Sequence, residues 1–378
     1  MIAHGEKLRV TNLRTFFYSN QARAFMRAVD GVDFSVPESQ TLGIVGESGS
    51  GKSISMLSIM GLLSTGPGVI SGKAMFKQGE QWINLLPEMD KFTQITYTKN
   101  LVSRVDKNEK AWQKAVERIL KPVRGKEIAM IFQNPKATFN PFMSVGEQIV
   151  EAIRLHTSIK DKKQAREKAL DWLDKVQIKD PLRNFHKMAE MMSGGMSQRA
   201  MIAMALSAEP SLLIADEPTT GLDATIQSKI VELLAGLRQQ YKTTSIVVSH
   251  DINVISRLAD QVVVMYGGTV VESGPCDQIL CKNTEIQHPY TRGLLLSMPN
   301  DSSVKAKGHL KVIPGDVLDT LNTPMGCRFY ERCTFKTPEI SELCQSQQPD
   351  LISIVPDHKV RCWLYHNNRS RQDEGCAS

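Results

Sequence analysis

Eight consecutive residues, Gly46, Glu47, Ser48, Gly49, Ser50, Gly51, Lys52 and Ser53, match the pattern G-x-x-x-x-G-K-[ST]. Glycines at these positions let successive backbone N–H groups turn inward around an anion. A helix beginning where the loop ends adds unpaired donors and a partial positive charge. Lys52 is then placed to reach the β- and γ-phosphates of a nucleotide, and Ser53 to hold Mg²⁺. A chance Gly/Ser turn is the bland alternative, and the flanks argue against it. Residues 41–45 form a short apolar run that reads as a buried strand. Residues 54–63 are mostly apolar, with no proline until Pro67, and read as a helix. Strand, glycine loop and helix together form the context in which the motif binds nucleotide.

A second group of residues suits the other half of phosphate chemistry. Asp216 and Glu217 follow four apolar residues. An acid at a strand end facing a phosphate loop can hold Mg²⁺ through its water shell, and the next acid can orient and deprotonate a water in line with the γ-phosphate. Alone, Asp-Glu reads as an ordinary helix cap; it gains weight from the Pro218-Thr219-Thr220-Gly221-Leu222-Asp223 run behind it. Ser193, Gly194 and Gly195 precede a helical run over 197–206, another set of backbone donors at a helix start. Gln133 and His250 each end an apolar strand pattern, at 127–132 and 244–249. In isolation a Gln there is solvated and a buried His is structural.

The positioning elements follow in order. Residues 8–10 and 28–36 read as strands near the N-terminus, with Phe16, Phe17, Tyr18 and Phe25 between them. One such ring suits stacking on an adenine, with Tyr18 or Phe25 preferred. Residues 71–76 are strand-like, and 78–125 turn polar and irregular. Within that stretch 108–121 carries Trp112, Val116, Ile119 and Leu120 at helical spacing, which reads as an amphipathic helix docked on the domain or, more sharply, as a partner contact. Helical periodicity returns at 145–156 and 165–176, strands at 212–216, 244–249, 262–265 and 269–272, and a short helix at 288–296. Alternating strands and helices predict an α/β fold with a mostly parallel sheet and ligands at the carboxyl ends of its strands. Beyond residue 298 the composition shifts to Pro, Cys and polar residues, which places a domain boundary near 285–300.

The chain has 378 residues, a net charge of +6 and 41% hydrophobic residues, so one large domain with an appendage is expected, and nucleic-acid binding is not called for. No run of eighteen apolar residues occurs, and the first residues lack a signal-peptide core, so a cytosolic chain with reduced thiols is expected. Of seven cysteines, Cys276 stands first and the rest, Cys281, Cys327, Cys333, Cys344, Cys362 and Cys376, lie beyond residue 280. Four of them, Cys327, Cys333, Cys344 and Cys362, sit in a segment of low apolar content. They contain no C-x-x-C, yet four thiolates suit a [4Fe–4S] cluster or a structural zinc, with free thiols as the bland alternative.

The loop at 46–53, Gln133, Ser193-Gly194-Gly195, the run 212–217, Gly221-Leu222-Asp223 and His250 occur in the order seen in ABC-transporter ATPases. The chain resembles the ATP-binding subunit of a bacterial oligopeptide/dipeptide importer over roughly residues 7–365. The closer likeness lies in Ala129-Met130-Ile131-Phe132-Gln133 with Asn140-Pro141, in residues 201–206, in His288-Pro289-Tyr290-Thr291, in Ile313-Pro314-Gly315 and in Gly326-Cys327-Arg328-Phe329. The resemblance implies a P-loop fold of ABC type: a mostly parallel core, an antiparallel β portion near the N-terminus, a helical subdomain over about 136–205 that carries the signature, and a small Cys-rich C-terminal extension. It divides the chain into an ATPase domain, 1–285, and an extension, 286–378.

That resemblance also implies roles. Glu217 is the base, His250 a switch contacting the γ-phosphate, and Gln133 a sensor of Mg²⁺ and water linked to a membrane partner. Ser53, Gln133 and Asp216 serve Mg²⁺. Ser193, Gly194 and Gly195 close over ATP bound to the opposite subunit, and Asp223 lies at the dimer seam. The implied reaction is ATP hydrolysis energising peptide import at the cytoplasmic face of the inner membrane. The implied partners are a second, similar ATPase subunit, two permeases and a periplasmic or extracellular solute-binding protein, and the four tail cysteines are implied to hold a cubane cluster. The alternatives are a soluble ABC protein acting on ribosomes or DNA, and an importer of another solute such as nickel. Three departures from the family bear on coupling: a long stretch over 88–123, no Tyr-Pro-His in 184–192, and Ser197 where a basic residue is common.

Overall fold

The computed structural model describes residues 5–98, 101–281, 284–298 and 312–368. In chain order its strands are β1 (Glu6–Ser19), β2 (Ala24–Pro37), β3 (Thr41–Val45), β4 (Pro67–Gln78), β5 (Gln81–Asn84), β6 (Thr93–Thr98), β7 (Leu101–Lys107), β8 (Ile128–Ile131), β9 (Leu212–Asp216), β10 (Thr244–Ser249), β11 (Gln261–Tyr266), β12 (Thr269–Pro275), β13 (Ile352–Val355) and β14 (His358–Val360). Among the described residues these form a core sheet in the order β13-β14-β12-β11-β3-β10-β9-β8, an N-terminal sheet in the order β2-β1-β4-β5, and the hairpin β6-β7.

The short apolar runs become the centre of the core sheet. β3 lies between β10 and β11, and the ladder from β11 through β8 is parallel. Every residue of β3, β9 and β10 is buried, as a strand covered on both faces requires. Side chains alternate across the sheet and so feed two cores. Leu212, Ile214, Ile246 and Val248 pack towards the N-terminal sheet and α1 (Lys52–Ile59). Leu213, Ala215 and Val247 pack towards the helices on the other face.

Most of the helices, on either face, begin at polar caps, which satisfy N–H groups that lack partners within the helix. α2 (Glu109–Leu120) is capped by Asn108 and turns Trp112, Val116 and Leu120 inward. α3 (Pro135–Thr138) follows β8. Ser144 caps α4 (Val145–His156) and Asp161 caps α5 (Lys162–Lys175). α6 (Pro181–Phe185) leads to α7 (Gly194–Leu206), capped by Ser193, and Asp223 caps α8 (Ala224–Tyr241). α9 (Ile252–Leu258), α10 (Cys276–Ile279) and α11 (Pro289–Leu296) complete the series up to residue 298.

Two stretches differ from the sequence reading. The region 78–125 is not irregular. β5 closes on β4, β6 and β7 form a separate hairpin, and α2 docks by its apolar face. Lys107 ties the hairpin down: its ammonium lies 3.8 Å from the Trp112 ring centroid and donates to the Pro67 carbonyl at 2.6 Å. In the second stretch, β14 pairs antiparallel with β12, so the tail hairpin extends the core sheet. The join is built on Glu272, which is fully buried and accepts from His358 Nε2 at 2.7 Å and from the His288 N–H at 3.0 Å. Cys376 lies outside the described residues.

Candidate functional site

β3 delivers the loop 46–53 to α1. Gly46 has φ of 153°, and a Cβ there would stand 2.2 Å from the Met265 carbonyl oxygen; at Gly51, φ is 98° and a Cβ would stand 2.3 Å from that of Ala28. Only glycine allows the loop to lie this close to the ends of β11 and β2. Lys52 Nζ donates to the carbonyls of Gly46 at 2.7 Å and Glu47 at 2.9 Å. Burial pushes its amine below the ordinary lysine range, while Glu217, Asp216 and Glu47 pull it back.

Ser53 Oγ donates to Asp216 Oδ1 at 2.7 Å, which joins the end of β9 to the start of α1. Burial raises the Asp216 carboxyl above its usual range, the Ser53 bond and Lys52 oppose this, and Glu217 adds to it. A carboxylate in that position gains from a divalent cation, which supplies the charge its surroundings lack.

Glu217 has φ of 49°, a left-handed conformation that costs a non-glycine residue about 1–3 kcal/mol. Its N–H donates to the Val248 carbonyl at 2.9 Å, and its Oε2 accepts from Thr220 Oγ1 at 2.5 Å. The same oxygen lies 2.6 Å from His250 Nδ1. The strained turn and these two contacts aim the carboxylate into a cleft of about 390 Å³, whose lining includes Ser48, Gly49, Gly51, Lys52, Ser53 and Gln133. A phosphate chain in this cleft would meet the Lys52 ammonium and backbone donors on one side, and the Glu217 carboxylate, paired behind with His250, on the other.

Ser193, Gly194 and Gly195 do not line this cleft. They start α7, where Gly195 packs on Ile226 and Gly194 on Leu222, beside Asp223. Asp223 accepts from the N–H groups of Thr225 and Ile226. The signature turn and the Asp223 loop are thus neighbours. Ser197, placed where a basic residue is common in the resembled family, is fully buried and donates to the Ala189 carbonyl at 3.2 Å.

The sequence reading missed several cleft residues. Tyr18 and Phe25 face each other across β1 and β2 and pack edge-on, with centroids 5.1 Å apart. The adjacent pair, Phe17 and Met26, borders the cleft instead. Strand periodicity of two was the available signal, because neighbouring positions point to opposite faces. Val317, Leu318, Asp319 and Thr320, far along the chain, also line the cleft. Nothing local in the sequence marks them.

Cys327, Cys333, Cys344 and Cys362 line one small cavity together with Phe329 and Phe335. All four are free thiols. Burial pushes Cys327 and Cys362 up to about 12, and raises Cys333 and Cys344 as well. Among the described residues, no group of three or more His, Cys, Asp or Glu side chains is placed to hold a metal ion. Neither the zinc nor the iron–sulfur expectation gains a ligand set from this arrangement, and the shared cavity is what brings the four thiols together.

Against families of known proteins, residues 29–220 match the ABC transporter family, and residues 271–339 match the oligopeptide/dipeptide transporter C-terminal region. The chain is 39% identical to the oligopeptide transport ATP-binding protein AppD of Bacillus subtilis (strain 168), over 97% of this chain and 98% of that one. It is 40% identical to that organism's oligopeptide transport ATP-binding protein OppD, over 90% of this chain and 84% of that one. In fold it is similar to the dimeric ATP-binding cassette MJ0796 in a post-hydrolysis state, with a TM-score of 0.53 and 23% identity, over 71% of this chain and 98% of that one.

Proposed function

The chain belongs to the ABC transporter family of ATP-binding proteins, and from that premise we propose that it hydrolyses ATP to energise import of peptides through separate membrane permeases. The observation that carries this reading is the pairing of Ser53 with Asp216, and of Glu217 with His250, around the loop 46–53. The match of 271–339 to an oligopeptide/dipeptide transporter region supports peptides as the cargo.

In this reading residues 1–285 are the ATPase domain, with 136–205 as its helical subdomain, and 286–378 are an extension packed on it. The amides of the loop donate to the β- and γ-phosphates, Lys52 neutralises part of their charge, and Ser53, Asp216 and Gln133 are the residues that would serve Mg²⁺. Bound Mg²⁺ supplies positive charge at the oxygens of the transferring phosphoryl group. Glu217 takes a proton from the attacking water, and His250 steadies the Glu217 carboxylate and reaches the γ-phosphate. Phe17 is the aromatic wall for the base. Water attacks the γ-phosphorus, the bond to the β,γ-bridging oxygen breaks, and ADP and phosphate form. Ser193, Gly194, Gly195 and Asp223 serve the ATP of a second, similar subunit.

In this reading a permease docks on exposed side chains of two segments, 136–142 and 189–191. Phe142 is 89% exposed and Met191 71% exposed, on segments linked by Lys136 Nζ to the Glu190 carbonyl. Gln148 steadies the Phe142 loop through bonds to Asn140 and Met143. No described helix is long and apolar enough to cross a membrane. The chain would sit peripherally at the cytoplasmic face of the inner membrane, with two permeases and an outer solute-binding protein completing the assembly. The finer reading of the tail is a [4Fe–4S] cluster on Cys327, Cys333, Cys344 and Cys362. Such a cluster spreads its thiolates more widely than a single ion does, and the four share a cavity.

Isolation of the tagged chain in mild detergent tests the reading. Recovery of two hydrophobic permeases and a second ATPase supports it. Recovery of ribosomal or DNA-bound partners without permeases would overturn it.

A further inference from the structure

The mechanism leaves Glu47 without a task, yet it is the most heavily tethered residue of the loop. Its carboxylate receives a two-pronged contact from Arg332, with Nη1 to Oε2 at 2.7 Å and Nη2 to Oε1 at 3.0 Å. Its N–H donates to the Tyr290 hydroxyl at 2.7 Å, and its carbonyl accepts from Lys52. Arg332 and Tyr290 both lie past residue 285. Arg332 is 6% exposed, and its Nε donates to the Pro314 carbonyl at 2.9 Å. Tyr290 is fully buried against Tyr266 and Phe329. A second arm runs in parallel. Arg328 donates to the Gly267 carbonyl and pairs with Asp30, while the Gly268 N–H donates to the Ser50 carbonyl at 3.1 Å.

We propose that Arg332 and Tyr290 are positioning residues for ATP: they fix the loop from behind, and Arg332 cancels the Glu47 charge beside the triphosphate. This rests on the ATPase reading above. A bidentate guanidinium–carboxylate pair is charge-assisted and directional, so it sets both the place and the field of the loop. Without Arg332 the Glu47 carboxylate, one position before the cleft-lining Ser48, is left uncompensated, and its repulsion of a bound nucleotide grows with the nucleotide's charge. A purely structural contact would not discriminate between nucleotides in this way.

The test uses the full-length chain, with fluorescent ATP and ADP analogues titrated in Mg²⁺. Arg332→Gln is expected to weaken ATP about tenfold, and ADP less, the scale of losing a hydrogen-bonded charge partner. Adding Glu47→Gln to that variant removes the offending charge and should restore ATP affinity to within about threefold of wild type. In the assembled transporter Arg332→Gln should raise KM more than it lowers kcat. Unchanged affinity in Arg332→Gln, or no recovery in the double variant, overturns the proposal. If Arg332→Gln does not fold, Tyr290→Phe decides: faster hydrogen exchange at the Glu47 amide with weaker ATP binding supports the proposal, and unchanged values refute it. Wild-type protein that fails to bind MgATP would instead sink the underlying ATPase reading.

Discussion

Replacing Glu217 by Gln isolates basicity from shape. The Gln carbonyl oxygen can take the place of Oε2, where it still accepts from Thr220 Oγ1 and from a His250 Nδ1–H, and its backbone adopts the same φ of 49° as readily as Glu. The fold and the cleft should therefore survive, and only the proton acceptor is lost. A positioned general base contributes about 10²–10⁴-fold, or about 3–5 kcal/mol of barrier. Phosphate release by the assembled transporter should fall by that factor, with MgATP affinity kept or improved. Because ATP is held but not consumed, the variant should also accumulate as an ATP-dependent dimer, visible by light scattering after gel filtration. Turnover within tenfold of wild type, at normal ATP affinity, would refute the assignment of Glu217 as the base.

Lys107 provides a pH test of the insertion. Burial lowers its amine to about 8 from 10.5, against the pull of Glu109. Between those values the unfolded chain holds more protons than the folded one, so this group's penalty is present below pH 8 and relieved as pH rises towards 10.5. Denaturant unfolding should show wild type gaining on Lys107→Met from pH 7 to pH 10, by at most about 3 kcal/mol; a constant gap would contradict the buried amine. Cys281 is exposed, whereas burial pushes Cys327 and Cys362 up to about 12, so of the described cysteines iodoacetamide at pH 8 should label Cys281 well before that cavity pair. Mass spectrometry reads the order, and early labelling of Cys327 or Cys362 would contradict their protected setting. Iron and sulfide analysis of protein purified without oxygen tests the cluster reading of the tail; absence of both at stoichiometric level removes it.

The catalytic core was legible because its signals are local. A short apolar run ending in acids, as in 212–217, or ending in a glycine loop, as in 41–53, already contains the strand, its end and the chemistry at that end. The helix Ala224–Tyr241 has a weaker stripe, with Ile230, Val231, Leu233, Leu234 and Leu237 set among polar residues, and had no reading of its own. The hairpin β6-β7 was hidden because Thr93, Gln94, Thr96 and Thr98 alternate with few large apolar side chains. Lys107, against Trp112 and Pro67, is one of the groups that tie it to the domain. The tail was legible only as a shift in composition. That it pairs with β12, walls the cleft with 317–320 and grips Glu47 depends on contacts between segments far apart in the chain. The Arg332–Glu47 pair, for one, spans 285 positions. No short pattern encodes such a pairing; it follows from the strand order that brings β11, β12 and the phosphate loop to one end of the sheet.

The most direct measurement is uptake of a labelled peptide by vesicles that carry the co-purified permeases and ATPase subunits, with solute-binding protein on the outside and MgATP sealed within. The account predicts peptide accumulation with wild-type chain, and little with Lys52→Ala, in which the phosphate contacts are lost. Accumulation that persists in Lys52→Ala, or a wild-type assembly that hydrolyses ATP yet moves no peptide, would contradict it.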